Sequence, residues 1–201
     1  MTPPPRTGPP ETCAVAFKEW AGICAALTDG RQSLILRKGG IAEGPGGFRP
    51  EHAAFWLYPT RIHEAEQGLR EASESRLIRP ADDDRVEFRA LAVVRSIDRV
   101  ADLPALERLE AEHIWAADTI ARRFHYRSPG LWVLGVRIYL VERPVAIAVT
   151  AEHVGCKTWV PLDRPIAVER PSPVLDDSAD EAAATRVRSA LEPAELGRAR
   201  T

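Results

Sequence analysis

Arg37, Lys38, Gly39 and Gly40 stand together where an apolar run stops, and that combination suits an anion. Two cations followed by glycines let backbone N–H groups approach a phosphate closely. Glu43, Arg49, His52, Thr60 and His63 follow, so Leu34 to His63 is the stretch richest in chemically capable side chains. Over it Arg37, Lys38, Arg49 and Arg61 outnumber Glu43 and Glu51, on a chain whose formal net charge is −2. The expected ligand contacts are Arg37, Lys38, Gly39, Gly40, Arg49 and His52; the bland alternative is a solvated turn. This is no P-loop, because G-x-x-x-x-G-K-[ST] is absent.

A second basic cluster, Arg122-Arg123-Phe124-His125-Tyr126-Arg127, interleaves cations with aromatics, as phosphate contact with base stacking requires. Against this, arginines in the last turn of a helix are ordinary dipole partners, and Phe124 falls on a buried stripe. Histidine titrates near neutral pH, so His52 or His63 is a candidate general base with Glu43 as partner or ligand. Their spacing matches no ligand motif, and His63-Glu64 lacks the second histidine of H-E-x-x-H, so no metal site is expected. His113 reads as a core histidine. Cys156, beside Lys157 and near His153, reads as structural rather than nucleophilic. No G-x-S-x-G or dinucleotide fingerprint appears, and no cofactor is expected.

The elements that must position these residues follow from periodicity. Phe17, Trp20, Cys24 and Leu27 recur at helical spacing, which predicts a helix over 14–28 stopped by Gly30. Gln32 to Arg37 reads as a strand covered on both faces, and Phe55 to Tyr58 as a second, cut by Pro59. Thr60 is placed to cap a short helix through His63 and Gln67. Val86 to Arg95 alternates as a strand. Asp102 caps what reads as the longest helix, reaching Tyr126. Leu131 to Val141 is a strand that Pro144 breaks, with 145–149 pairing back beside it, and Thr158 to Leu162 is a final strand. The order does not alternate regularly, so the expected class is α+β: a mixed or mostly antiparallel sheet, with a small curled barrel as one form, and flanking helices.

Residues 1–12, with five prolines, are expected to be a disordered leader, 13–168 a single α+β domain, and 169–201 a weakly ordered or partly helical tail. Charged residues make up 28% of the chain and the net charge is small, so no global field draws it to nucleic acid or membrane. Its first residues hold no apolar core of a secretory signal, so none is expected, no apolar run is long enough for a membrane span, and three cysteines without CxxC spacing argue against a disulfide framework. A reducing cytoplasm is the expected location.

Phe17-Lys18-Glu19-Trp20, Ile35 to Ile41, Phe48 to His52, Phe55 to Thr60, His63 and Gly155 to Trp159 together resemble the bacterial family known as domain of unknown function 1802. The resemblance spans Ala14 to Ile166. In the family pattern glutamine commonly follows the histidine that matches His63; Glu64 stands there in this chain, which argues against a strict role for it. The family has no assigned activity and supplies no catalytic residues. An association of some members with restriction-type nuclease modules implies a DNA-linked accessory module.

The leading expectation is a bacterial module binding nucleic acid or a nucleotide-like anion through the basic glycine-rich loop, with salt-sensitive binding that Arg37→Ala weakens. One rival is a metal- or histidine-dependent hydrolase or transferase acting on a phosphate or ester. The other is a protein-interaction component of a larger assembly, in which the motif residues are mostly buried and Arg37 pairs internally with Glu43.

Overall fold

The computed structural model describes residues 8–38, 48–61, 68–70, 77–82, 84–153, 155 and 157–192. Seven strands form one mixed sheet in the order β2-β5-β4-β3-β1-β6, with β7 paired to β5 off that path. They are β1 (Thr12–Trp20), β2 (Leu34–Arg37), β3 (Ala54–Thr60), β4 (Arg85–Val100), β5 (Leu131–Ala148), β6 (Trp159–Ala167) and β7 (Ser172–Pro173). The helices are α1 (Ala21–Thr28), α2 (Leu103–Glu107), α3 (Ala117–His125) and α4 (Asp177–Leu191). The architecture is α+β, and the sheet does not close into a barrel.

Four local expectations are corrected. The strand expected to be cut by Pro59 runs on through it, and β3 ends at Thr60 with Pro59 in register opposite Glu19 on β1. The helix over 14–28 begins only at Ala21; residues 12–20 are β1, parallel to β3 and antiparallel to β6. Flanked by strands on both sides, β1 buries every residue from Val15 to Trp20, so its apolar spacing carries no one-sided signal. The helix that remains, α1, is buried along its whole length and stops at Gly30, whose φ of 71° favours glycine.

The long helix after Asp102 is broken. Asp102 does accept from the Ala105 N–H, but α2 is five residues long, and His113 to Ala116 run extended before α3. The extended segment finds other partners: the Ile114 N–H donates to Gln32 Oε1, the Arg70 N–H to the Ile114 carbonyl, and Leu69 bridges Trp115. Leaving the helix puts Trp115 against Trp20, ring centroids 4.5 Å apart.

Residues 145–149 do not fold back beside 131–141. β5 runs through Pro144 and keeps β4 as its partner, with Val145 opposite Phe88. The register slips between Phe88 and Ala90, so Pro144 falls in a bulge where no ladder N–H is needed. Near the C-terminus, α4 buries part of its surface. Ala183 and Val187 are covered, and Asp180 lies 2.7 Å from Arg95 and 3.8 Å from Arg137. Arg108 caps the other end of α4 by donating to the Ala190 and Glu192 carbonyls.

No helix among the described residues is long and apolar enough to cross a membrane. The proposed helix after Thr60, and Gly39, Gly40, Glu43, His63 and Cys156, lie outside the described residues.

Because the Asp180 side chain is only 7% exposed and faces two arginines, Asp180→Ala removes the carboxylate that Arg95 pairs with and leaves Arg137 with Asp177 alone. Urea titration is expected to show a loss of about 2 kcal/mol with little change in slope. An unchanged midpoint would mean that α4 contributes nothing to the cooperative unit.

Candidate functional site

Two adjacent charged residues on β1, Lys18 and Glu19, are both buried, at 7% and 2% exposure. Burying a charge is costly unless it is paired, so their partners define the site. Glu19 Oε1 accepts from the Trp20 N–H at 2.9 Å, and Oε2 lies 3.6 Å from Arg37 with no hydrogen bond of its own. Arg37, the last residue of β2, reaches the far side of the sheet: its Nε and Nη2 donate to Thr158 Oγ1 at 3.1 and 2.6 Å. The same guanidinium lies over the Phe17 ring. Thr158 just precedes β6, and its carbonyl accepts from the Lys18 N–H. Arg37 therefore joins the two strands that end the sheet on opposite sides.

A second guanidinium comes from α3. Arg123 sits 4.4 Å from the Trp115 ring centroid and 4.9 Å from that of Trp20. Burial pushes its pKa down to about 10, Glu19 opposes that and Arg37 adds to it, so the group stays cationic at neutral pH. One carboxylate thus faces two guanidinium groups beneath a cover of aromatic rings.

Lys38 points to the end of α3. Its Nζ donates to the carbonyls of Phe124 at 3.0 Å, Gly130 at 2.8 Å and Ser128, which occupies all three protons. Arg99 adds a hydrogen bond to the Pro129 carbonyl, and its guanidinium lies where a side chain on Gly130 (φ 115°) would go. The loop after α3 is thereby held from two sides. It presents Tyr126, 45% exposed, with the Arg127 guanidinium 5.1 Å from its ring centroid. Arg122 is exposed one turn earlier, 3.8 Å from Asp118. The two basic clusters of the sequence meet here.

Of the other expected contacts, Arg49 is exposed and its carbonyl accepts from Trp159 Nε1 at 2.9 Å. His52 is half-buried, edge-on to the Trp159 ring at 4.8 Å, and burial holds its pKa below the ordinary value while Glu51 opposes that. Lys18 donates to the His153 and Gly155 carbonyls and lies over Tyr58, its register partner on β3. No three His, Cys, Asp or Glu side chains among the described residues are grouped to hold a metal. Sequence reasoning passed over Glu19, Arg99 and Thr158 as site residues, and had Arg123 only as a member of the second basic cluster. The available signal was Lys18-Glu19 inside an otherwise apolar run, which marks charges that need internal partners.

The described motif residues are mostly buried, and Arg37 pairs with Glu19. The family model for a domain of unknown function, DUF1802, matches residues 16–186, and the chain belongs to that family. No curated protein matches it. Among solved structures, a tyrosine-to-phenylalanine mutant of ASCH from Zymomonas mobilis is similar with a TM-score of 0.44 at 11% identity, over 75% of this chain and 90% of that one. Another structure of ASCH from the same organism gives a TM-score of 0.41 at 11% identity, over 87% and 93%. At these TM-scores the likeness assigns nothing further.

His113 offers a measurable consequence of this packing. It is buried, its Nδ1 accepts from the Trp115 N–H, and its pKa is pushed down to about 4, by burial first and the Arg70 charge second. The folded value lies below the unfolded 6.5, so the neutral ring's contribution is complete above that pH and is lost as pH falls toward about 4. Between pH ~7 and ~5 the expected loss is on the order of 2 kcal/mol by urea titration, absent in His113→Gln. An equal loss in the variant would remove His113 as its source.

Proposed function

We propose that this member of the DUF1802 family binds a phosphate-bearing polyanion, nucleic acid foremost, at the end of α3 where the two basic segments meet. The observation that carries the reading is the Lys38 Nζ on the Phe124, Ser128 and Gly130 carbonyls, which brings the basic end of β2 to the basic end of α3 on a chain of net charge −2. Lys38 and Arg37 hold the site in shape, since their donors are taken up internally. Arg122 and Arg127, both exposed, are the phosphate contacts, and Arg99, like Lys38, holds the loop between them and β5 by donating to carbonyls. Arg49, Gly39, Gly40 and His52 remain candidate contacts on the same basic stretch.

One observation favours the interaction-component reading as well. Phe17 to Trp20, Ile35 and Leu36, and Phe55 to Tyr58 are buried, and the motif cation Arg37 is paired within the fold. On that reading the family motif is a packing signature, and function resides on the surface it supports.

Fluorescence anisotropy against labelled single-stranded DNA, duplex DNA and RNA at two salt concentrations tests the proposal. Affinity is expected to fall steeply with salt. The double variant Arg122→Ala/Arg127→Ala should weaken binding to every sequence alike and lower the salt slope by about 2. Arg37→Ala is a poor probe of contact, because it leaves Glu19 facing one guanidinium fewer and should cost on the order of 3 kcal/mol of stability. Binding that ignores salt, or none at low salt, overturns the proposal.

A further inference from the structure

Single exposed aromatics are common on protein surfaces and mean little alone. Tyr126 differs in how its segment is held. Its N–H donates to the Arg123 carbonyl, its carbonyl accepts from the Ser128 N–H, and the Gly130 N–H donates to the Phe124 carbonyl. Lys38 and Arg99 fix the same loop by side-chain bonds to the carbonyls of Phe124, Ser128, Pro129 and Gly130. Arg127 adopts φ 63°, a conformation unfavourable for an L residue with a long side chain, and its guanidinium lies against the Tyr126 ring. The fold thus holds a solvated ring and a planar cation together in advance of any ligand.

We infer that the site takes single-stranded rather than duplex nucleic acid, with a base stacked on Tyr126; this rests on the polyanion reading above. A duplex already stacks its bases on one another and offers phosphates at its surface. A single strand offers both a charged backbone and free base faces. Arg122 supplies charge for the backbone, while Tyr126 and Arg127 supply the flat surface that only an unstacked base can use. Because every base has such a face, the preference is for strandedness and not for sequence.

The test uses the full chain and three labelled probes with equal phosphates per strand: an oligothymidylate, a duplex, and an abasic strand that keeps the sugar-phosphate backbone without bases. The oligothymidylate should bind roughly tenfold more tightly than the abasic strand. It should also bind more tightly than the duplex. Tyr126→Ala should remove that advantage while leaving abasic binding and the melting temperature unchanged, and Tyr126→Trp should retain it. Salt-dependent binding equal for strand and abasic probe, a duplex bound as tightly as the single strand, or a Tyr126→Ala variant that keeps the advantage, overturns the inference and leaves the polyanion reading standing. No binding of any probe at low salt overturns both.

Discussion

The guanidinium of Arg37 is the contact on which the rest of this architecture depends. A sheet ordered from β2 to β6 has two free sides, and at one point a single side chain links them by donating twice to Thr158 Oγ1. The same group faces Glu19, a carboxylate only 1% exposed. Desolvating that carboxylate is expensive, and the mutual attraction of the pair offsets the penalty only while the geometry holds. Arg123 adds a second cation to the same neighbourhood and itself packs over the rings of Trp20 and Trp115. The charge cluster and the aromatic cluster therefore stabilise each other: the rings exclude water, and the exclusion of water strengthens the ion pair.

From this centre the order extends outward. Lys38 follows Arg37 directly, so fixing the end of β2 also fixes the position of an ammonium with three protons. The last carbonyls of a helix lack intrahelical partners and carry partial negative charge, which makes the end of α3 a natural acceptor for it. The loop that results includes one non-glycine residue, Arg127, at positive φ. Such a conformation costs about 1–2 kcal/mol, a penalty small beside several hydrogen bonds to charged donors.

How much of this could be read beforehand depended on whether a segment's signal was local. β2 and β3 were legible as continuous apolar runs, although β3 does not stop at Pro59. Asp102 as a cap and Gly30 as a stop were legible for the same reason. The identity of β1 was not, because a strand with neighbours on both sides buries all its residues and the apolar positions then fit a helix equally well. The break between α2 and α3 was invisible too: it is dictated by Gln32 and Leu69–Arg70, distant in sequence, which compete for the backbone of residues 114–116. Within the site, the basic residues were legible as types, but their roles were not. Nothing near Arg37 indicates that its partners will be Glu19 and Thr158.

That division explains why the family motif and the proposed contact surface do not coincide. Phe17-Lys18-Glu19-Trp20 places two charges on opposite faces of an interior strand, where each must find a buried partner. Lys18 secures the turn before β6 through the His153 and Gly155 carbonyls, and Glu19 secures the end of β2 through Arg37. Substituting either residue leaves a buried group unpaired, so the fold itself restrains them whatever the protein binds. The exposed Tyr126 and Arg127 face no such restraint from packing. They are presented to solvent on a loop that Lys38 and Arg99 hold in place, and that is the reason for assigning the ligand to them rather than to the motif.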